Sequence, residues 1–128
     1  PTRLIEVRAT EPVTCRCDPE LLRRIIENLV SNAMKHTSSG GKISVDVSAT
    51  GGGARIAVQD EGPGVPAEAR DRIFERFSAP ALRTESGYHS VGLGLAFCNL
   101  AVEAHGGTIR VVDGNPRGSV FVVDLPDR

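Results

Sequence analysis

Two asparagines and a lysine recur at helical spacing in the first part of the chain. Asn28, Asn32 and Lys35 stand at positions i, i+4 and i+7, which places them on one stripe of an α-helix. Amide oxygens suit a hard metal ion, and amide and ammonium groups donate hydrogen bonds to phosphate oxygens. Asparagine is also a mediocre helix former, because its side chain competes for backbone hydrogen bonds. The spacing is therefore consistent either with a metal and phosphate site or with a solvated helix edge.

A carboxylate at the end of a strand-like run is the next candidate. Asp60 follows Ile56 and Val58 at alternate positions of the run, and residues two apart in a strand share a face. We therefore expect Asp60 to point toward the covered side of a sheet, where an unpaired charge is unfavourable. The glycines of the loop that follows, Gly62 and Gly64, allow the close approach of a flat ligand. The alternative is an ordinary aspartate at a frayed strand end.

The helix that carries the asparagines has a clear predicted start. Asp18 is expected to be its N-cap, Pro19 its first residue and Glu20 an acidic residue of the first turn. The helix should run to about His36, which we expect to be partly exposed at the helix end. Its predicted core face consists of Leu22, Ile26, Leu29 and Ala33.

The other predicted elements are short strands and two further helices. Period-2 alternation and β-prone runs indicate the strands, and glycine- or proline-containing stretches separate them. The strands are expected at 4–9, 13–17, 42–49, 55–60, 108–112 and 119–125, and the helices at 68–76 and 92–104. Residues 78–91 lack periodicity, and such a loop in a compact domain is usually functional or disordered. The glycine-flanked start of the helix at 92 offers N–H groups to an anion.

Composition restricts the class of protein. A length of 128 residues supports one domain, 1–128, and a net charge of -1 argues against nucleic-acid binding through bulk charge. No apolar run approaches the roughly 18 residues that span a bilayer, so we expect no direct membrane contact. The three cysteines, Cys15, Cys17 and Cys98, are expected to be buried, reduced thiols in a reducing compartment.

Several of these segments together resemble one known family. In chain order, 28–35 resembles an asparagine box, 60–65 a first glycine box, 72–77 a phenylalanine box, 92–96 a second glycine box and 104–107 the sequence that follows it. The set resembles the catalytic, ATP-binding domain of bacterial sensor histidine kinases, within the Bergerat-fold ATPases. Each motif is weak by itself, but the ordered set is very specific and spans nearly the whole chain.

The resemblance implies a fold and a set of site residues. The fold is α/β (α+β), a two-layer sandwich with a mixed, mostly antiparallel sheet and helices on one face. Asn32 should bind the Mg²⁺ that bridges the ATP phosphates, and Asn28 should assist at the metal or the phosphates. Lys35 should reach phosphate oxygens, Asp60 should accept a hydrogen bond from the adenine amino group, and Arg76 should contact either phosphate or the partner domain. The remaining expected nucleotide-binding residues are Gly62, Gly64, Val65, Gly92, Leu93, Gly94 and Leu95, with residues 78–91 as the ATP lid.

The resemblance also implies an activity and partners. A sensor histidine kinase donates the γ-phosphate of ATP to a histidine on a separate dimerisation domain, which these 128 residues do not contain. Its downstream partner is a response regulator. The domain would act in the cytoplasm, within a parent protein that is either soluble or membrane-anchored.

Other functions remain open on the sequence. Chaperone-type and mismatch-repair ATPases of this fold place a glutamate one helical turn before the metal-binding asparagine, where this chain has Asn28, so no general base stands there to activate water. A stand-alone anti-sigma-factor serine kinase is an alternative. A degenerate domain that acts as a binding module is another, since Ser90 replaces the usual first glycine of the second glycine box. Residues 62–67 fit a dinucleotide fingerprint poorly, because prolines fill two of its variable positions.

Overall fold

A five-stranded sheet forms one layer of the structure, and two helices form the other. The structure is a computed structural model that describes residues 4–9, 12–37, 41–75, 94–114 and 117–126. The strands are β1 (Leu4–Arg8), β2 (Lys42–Thr50), β3 (Gly53–Gln59), β4 (Thr108–Asp113) and β5 (Ser119–Pro126). The helices are α1 (Pro19–His36) and α2 (Gly94–Ala104).

The strand order is β1-β2-β3-β5-β4. β1 pairs with β2 in parallel, and the other three pairings are antiparallel. In the middle of the sheet, Ile56 lies opposite Val47 on one side and Val123 on the other. The prediction of a mixed, mostly antiparallel sheet with helices on one face is confirmed.

The predicted start of α1 is also confirmed. The side chain of Asp18 accepts hydrogen bonds from the N–H groups of Glu20, at 2.9 Å, and Leu21, at 3.2 Å, so it caps the first turn. The N–H of Asp18 itself donates to Nε2 of His105 at 2.9 Å. Because His105 follows directly after α2, this bond ties the end of α2 to the start of α1.

The buried face of α1 differs from the prediction. Ile25 and Leu29 are fully buried and Ala33 nearly so, whereas Leu22 and Ile26 are half-buried. The reason is that α1 packs against α2 as well as the sheet, and the Sγ of Cys98 on α2 lies 3.7 Å from the carbonyl oxygen of Ile25. The buried stripe is therefore turned toward α2, a contact that α1's own periodicity does not specify.

Two predicted elements are wrong, and so are the exposure predicted for His36 and the burial predicted for Cys15 and Cys17, which are half-buried whereas Cys98 is buried as expected. Residues 13–17 form no strand: they pair with none of the five strands of the sheet, and a β-prone run needs a partner strand. Up to residue 75, the predicted helix at 68–76 is replaced by two single 3₁₀ turns, Ala67–Ala69 and Arg72–Phe74. Each turn is closed by an i→i+3 hydrogen bond, from the Arg70 N–H to the Ala67 carbonyl oxygen at 3.3 Å and from the Glu75 N–H to the Arg72 carbonyl oxygen at 3.0 Å. His36 is buried, at 8% exposure, because the loop after β3 covers it.

Candidate nucleotide-binding site

A cavity of about 360 Å³ opens between α1 and the start of α2. Its walls are polar on the α1 side and largely apolar on the α2 side. Two cations, Arg24 and Lys35, stand among the described lining residues, and none of these residues is acidic. The lining consists of Arg24, Asn28, Ser31, Asn32, Lys35, Gly94, Leu95 and Phe97.

The asparagine stripe turns oxygen toward this cavity. The Nδ2 of Asn28 donates to the carbonyl oxygen of Arg24 at 2.8 Å, which directs Oδ1 away from the helix axis toward Gly94. A β-carbon at Gly94 would lie 3.1 Å from that oxygen, so the absence of a side chain there leaves the oxygen room. Asn32, one turn later, is buried at 6% exposure although it is polar. A buried amide and an oriented amide oxygen beside two cations suit a metal ion and the anion that it bridges.

Asp60 stands just beyond the end of β3 and is 1% exposed. Its Oδ1 accepts hydrogen bonds from the N–H groups of Gly62, at 2.9 Å, and Ser119, at 3.4 Å. Its Oδ2 accepts from the Ser119 hydroxyl, also at 3.4 Å. Burial raises the pKa of this carboxyl above its ordinary value, and the three hydrogen bonds oppose the shift. The inward direction expected from strand parity is confirmed.

The loop after Asp60 is fixed to the carboxyl end of α1. The Glu61 N–H donates to Oγ1 of Thr37 at 3.4 Å, and the Glu61 carboxylate accepts from the Lys42 N–H at 2.8 Å. A β-carbon at Gly62 would lie 2.5 Å from the carbonyl oxygen of His36, so the backbones meet only because this residue is glycine. The carboxylate of Asp60 is thereby held at one end of the helix that carries the asparagines.

The predicted site residues fall into two groups. Asn28, Asn32, Lys35, Gly94 and Leu95 line the cavity. The loop at the carboxyl end of α1 carries the other group, which is Asp60, Gly62, Gly64 and Val65. Gly62 of this loop contacts His36, which lies one helical turn, about 6 Å, beyond Asn32. Three predicted residues, Arg76, Gly92 and Leu93, and the predicted lid at 78–91 lie outside the described residues.

Two residues around Asp60, Ser119 and Gly118, were not predicted from the sequence. Ser119 is buried, at 2% exposure, and donates to Asp60 from both its backbone and its side chain. Gly118 has φ +85°, and a β-carbon there would overlap the carbonyl oxygen of Asp60. A signal existed for Ser119, because it shares its parity with the buried Phe121 and Val123 of β5. A small polar residue in a core-facing position is expected to have a polar partner.

Residues 17–128 match the family of histidine kinase-, DNA gyrase B-, and HSP90-like ATPases. The chain belongs to this ATPase family. Among relatives, the sensor protein KdpD of Escherichia coli (strain K12) is 35% identical over 125 residues, which cover 97% of this chain and 14% of KdpD. The structure of the mycobacterial sensor histidine kinase MprB matches with a TM-score of 0.82 and 33% identity, covering 98% of this chain and 83% of that one. Full-length ShkA in complex with AMPPNP matches with a TM-score of 0.81 and 35% identity, covering 97% of this chain and 25% of ShkA.

Within this ATPase family, the chain is an ATP-binding catalytic domain of the histidine kinase type. The predicted family and fold are therefore confirmed. The chain spans a minor share of its longer relatives, 14% of KdpD and 25% of ShkA. Among the described residues, neither helix has the length and apolar character that a membrane crossing requires.

Proposed function

We propose that this domain binds Mg²⁺-ATP and donates its γ-phosphate to a histidine on the dimerisation domain of its parent protein. A response regulator would then receive the phosphoryl group, and the domain would work in the cytoplasm, where ATP is available. The observation that carries the proposal is the buried carboxylate of Asp60, held at the end of the same helix whose asparagines line a cationic cavity.

Asp60 supplies the recognition of the base. Its Oδ2 has one hydrogen bond among the described residues, and that bond is long, at 3.4 Å. An ionised carboxylate oxygen accepts more than one donor, so Oδ2 has capacity for the exocyclic amino group of adenine. Gly62 donates its N–H to the Asp60 carboxylate, and Gly64 and Val65 continue the same loop; the glycines let backbone lie close to a flat ring. A guanine base presents a carbonyl oxygen where adenine has its amino group, and a carboxylate would repel it.

Asn32 and Asn28 are proposed to hold the magnesium ion. The oriented Oδ1 of Asn28 and the buried amide of Asn32 are hard oxygen donors of the kind that Mg²⁺ takes in small numbers, since this ion usually keeps several waters and binds through phosphates. When bound, the ion neutralises charge on the phosphate oxygens. Lys35 adds a cation on the same wall, and Gly94 and Leu95 close the cavity from α2.

The composition of the cavity favours transfer of the phosphoryl group to a protein over hydrolysis. The position one turn before Asn32 is Asn28, which is not a base, and no carboxylate is among the described lining residues. Without a general base, a bound water is not activated for attack. Phosphoryl transfer to an incoming nucleophile depends on positioning and charge stabilisation, which the cavity provides.

The test combines binding with transfer. Titration calorimetry of this domain should show ATP binding that strengthens with Mg²⁺ and a clear preference over GTP. Radiolabelled ATP given to the full-length parent should yield a protein label that acid removes and alkali does not, as expected of phosphohistidine. A label stable to acid would indicate a serine kinase instead, and absence of nucleotide binding by the domain would refute the proposal.

A further inference from the structure

Two adjacent arginines on α1 have different environments. Arg23 lies on the outer face of the helix, where it pairs with Glu20 and with Glu27, the latter at 3.2 Å. Arg24 lines the cavity, and it forms no ion pair among the described residues. Its positive charge is therefore available at the cavity, whereas the charge of Arg23 is already matched by two carboxylates.

Phe97 on α2 holds the side chain of Arg24 in place. The guanidinium carbon lies 4.4 Å from the centroid of the Phe97 ring, over its face. A cation–π contact of this kind restricts the guanidinium but uses none of its five N–H donors. A planar, oriented fork with free donors is the arrangement that binds phosphate oxygens in pairs.

The position along α1 indicates which phosphate is in reach. The residues from His36 to Arg24 run from the loop of Asp60 toward the amino end of the helix, in the order His36, Asn32, Asn28 and Arg24. Each step of four residues advances about 6 Å along the axis. A nucleotide with its base at Asp60 and its metal at Asn32 and Asn28 would therefore extend its phosphate chain toward Arg24.

We infer that Arg24, stacked on Phe97, binds the terminal phosphate of a nucleoside triphosphate and makes the site prefer triphosphates over diphosphates. This inference rests on the proposed function, because it uses the base position at Asp60. Lys35 lies on the other side of Asn32 along the helix, so it serves the inner part of the phosphate chain and does not replace Arg24.

The experiment compares two substitutions that remove the same charge. Arg24→Gln should lower the affinity for the non-hydrolysable analogue AMPPNP roughly tenfold. This is the lower end of the range expected for loss of a hydrogen bond from a charged group, because Arg24 is exposed and solvent screens its charge. Arg24→Gln should leave the affinity for ADP unchanged. Arg23→Gln, the matched control, should change neither affinity. Glutamine is a good helix former, and thermal melting would show that both variants keep the fold.

A third variant tests the role of the ring. Phe97→Leu keeps the charge of Arg24 and an apolar side chain at α2, but removes the stacking, so it should reduce AMPPNP affinity by less than Arg24→Gln and leave ADP unaffected. Equal losses for AMPPNP and ADP in Arg24→Gln would overturn the inference, as would no loss for either. If the unmodified domain bound neither nucleotide, the proposed function would fail as well, whereas normal binding with an insensitive Arg24→Gln would overturn this inference and leave that function standing.

Discussion

Asp60→Asn separates the recognition of the base from the stability of the fold. Asparagine has nearly the same shape as aspartate, and its Oδ1 can still accept hydrogen bonds from the N–H groups of Gly62 and Ser119. The substitution removes the charge and turns one acceptor oxygen into a donor group. That donor would face the amino group of adenine, so the variant should lose the hydrogen bond to the base while it keeps the local loop geometry.

The magnitude follows from the burial of the carboxylate. A hydrogen bond to a charged group contributes about 1.5–3 kcal/mol. Because Asp60 is 1% exposed, solvent screening should reduce this contribution only slightly. We expect ATP affinity to fall roughly 10- to 150-fold. In the absence of nucleotide the variant should melt at the same temperature as the unmodified domain or higher, because it no longer buries a charge.

The raised pKa of Asp60 gives this prediction a pH dependence. Burial raises the pKa above its ordinary value, so between the two values the folded state binds more protons than the unfolded state. Stability therefore falls as pH rises through that window. The advantage of Asp60→Asn in melting temperature should be absent below the ordinary pKa and fully developed above the raised one. ATP affinity of the unmodified domain should weaken as pH falls through the raised pKa, beyond any change in the variant.

Titration calorimetry with ATP at several pH values, paired with thermal melting, makes the measurement. Asp124→Asn is the control, because Asp124 lies on the opposite face of the sheet and pairs with Arg55 at 2.6 Å and Arg110 at 2.9 Å. This control should leave ATP affinity unchanged. An Asp60→Asn domain that binds ATP as tightly as the unmodified one would refute the assignment of Asp60 to the base.

Three further predictions concern the metal, α2 and the thiols. Asn32→Ala should abolish the gain in ATP affinity that Mg²⁺ produces, and a variant that kept the same Mg²⁺ response in calorimetry would contradict the metal assignment. Gly94→Ala should crowd the Oδ1 of Asn28, since the new β-carbon would lie 3.1 Å away. We expect severalfold weaker Mg²⁺-ATP binding with an unchanged or higher melting temperature. Unaltered binding would show that this oxygen is not used. Burial raises the pKa of Cys98 to about 12, which leaves about one thiolate in ten thousand at pH 8. Iodoacetamide should therefore label the half-buried Cys17 in the native domain but Cys98 only after unfolding, as mass spectrometry would show.

Local signals in the sequence were sufficient wherever the structure depends on near neighbours. Asp18 and Pro19 identified the start of α1, because capping involves residues two and three positions away. The alternation of residues along β3 was enough to predict that Asp60 points inward. The spacing of Asn28, Asn32 and Lys35 was enough to predict that they lie on one side of α1, where they line one cavity. In each case the physical cause acts within one element.

Three of the differences from prediction share another cause, which is contact between distant parts of the chain. The hydrogen bonds from Ser119 to Asp60 exist because β5 pairs with β3, across 59 positions. His36 is buried by Gly62, which no helical pattern reveals. Residues 13–17 have strand-forming composition, yet they pair with none of the five strands of the sheet. Tertiary pairing decided all three outcomes and overrode local propensity.

Helix α1 contributes both to the hydrophobic core and to the wall of the cavity. Ile25 and Leu29 anchor it in the hydrophobic interior, while Asn28 and Asn32, on the adjoining stripe, face the cavity. A rotation of the helix that adjusted the amides would also extract the anchors from the interior. An attempt to change the base preference of this scaffold should therefore keep α1 in its position and vary the loop from Glu61 and the first residues of β5.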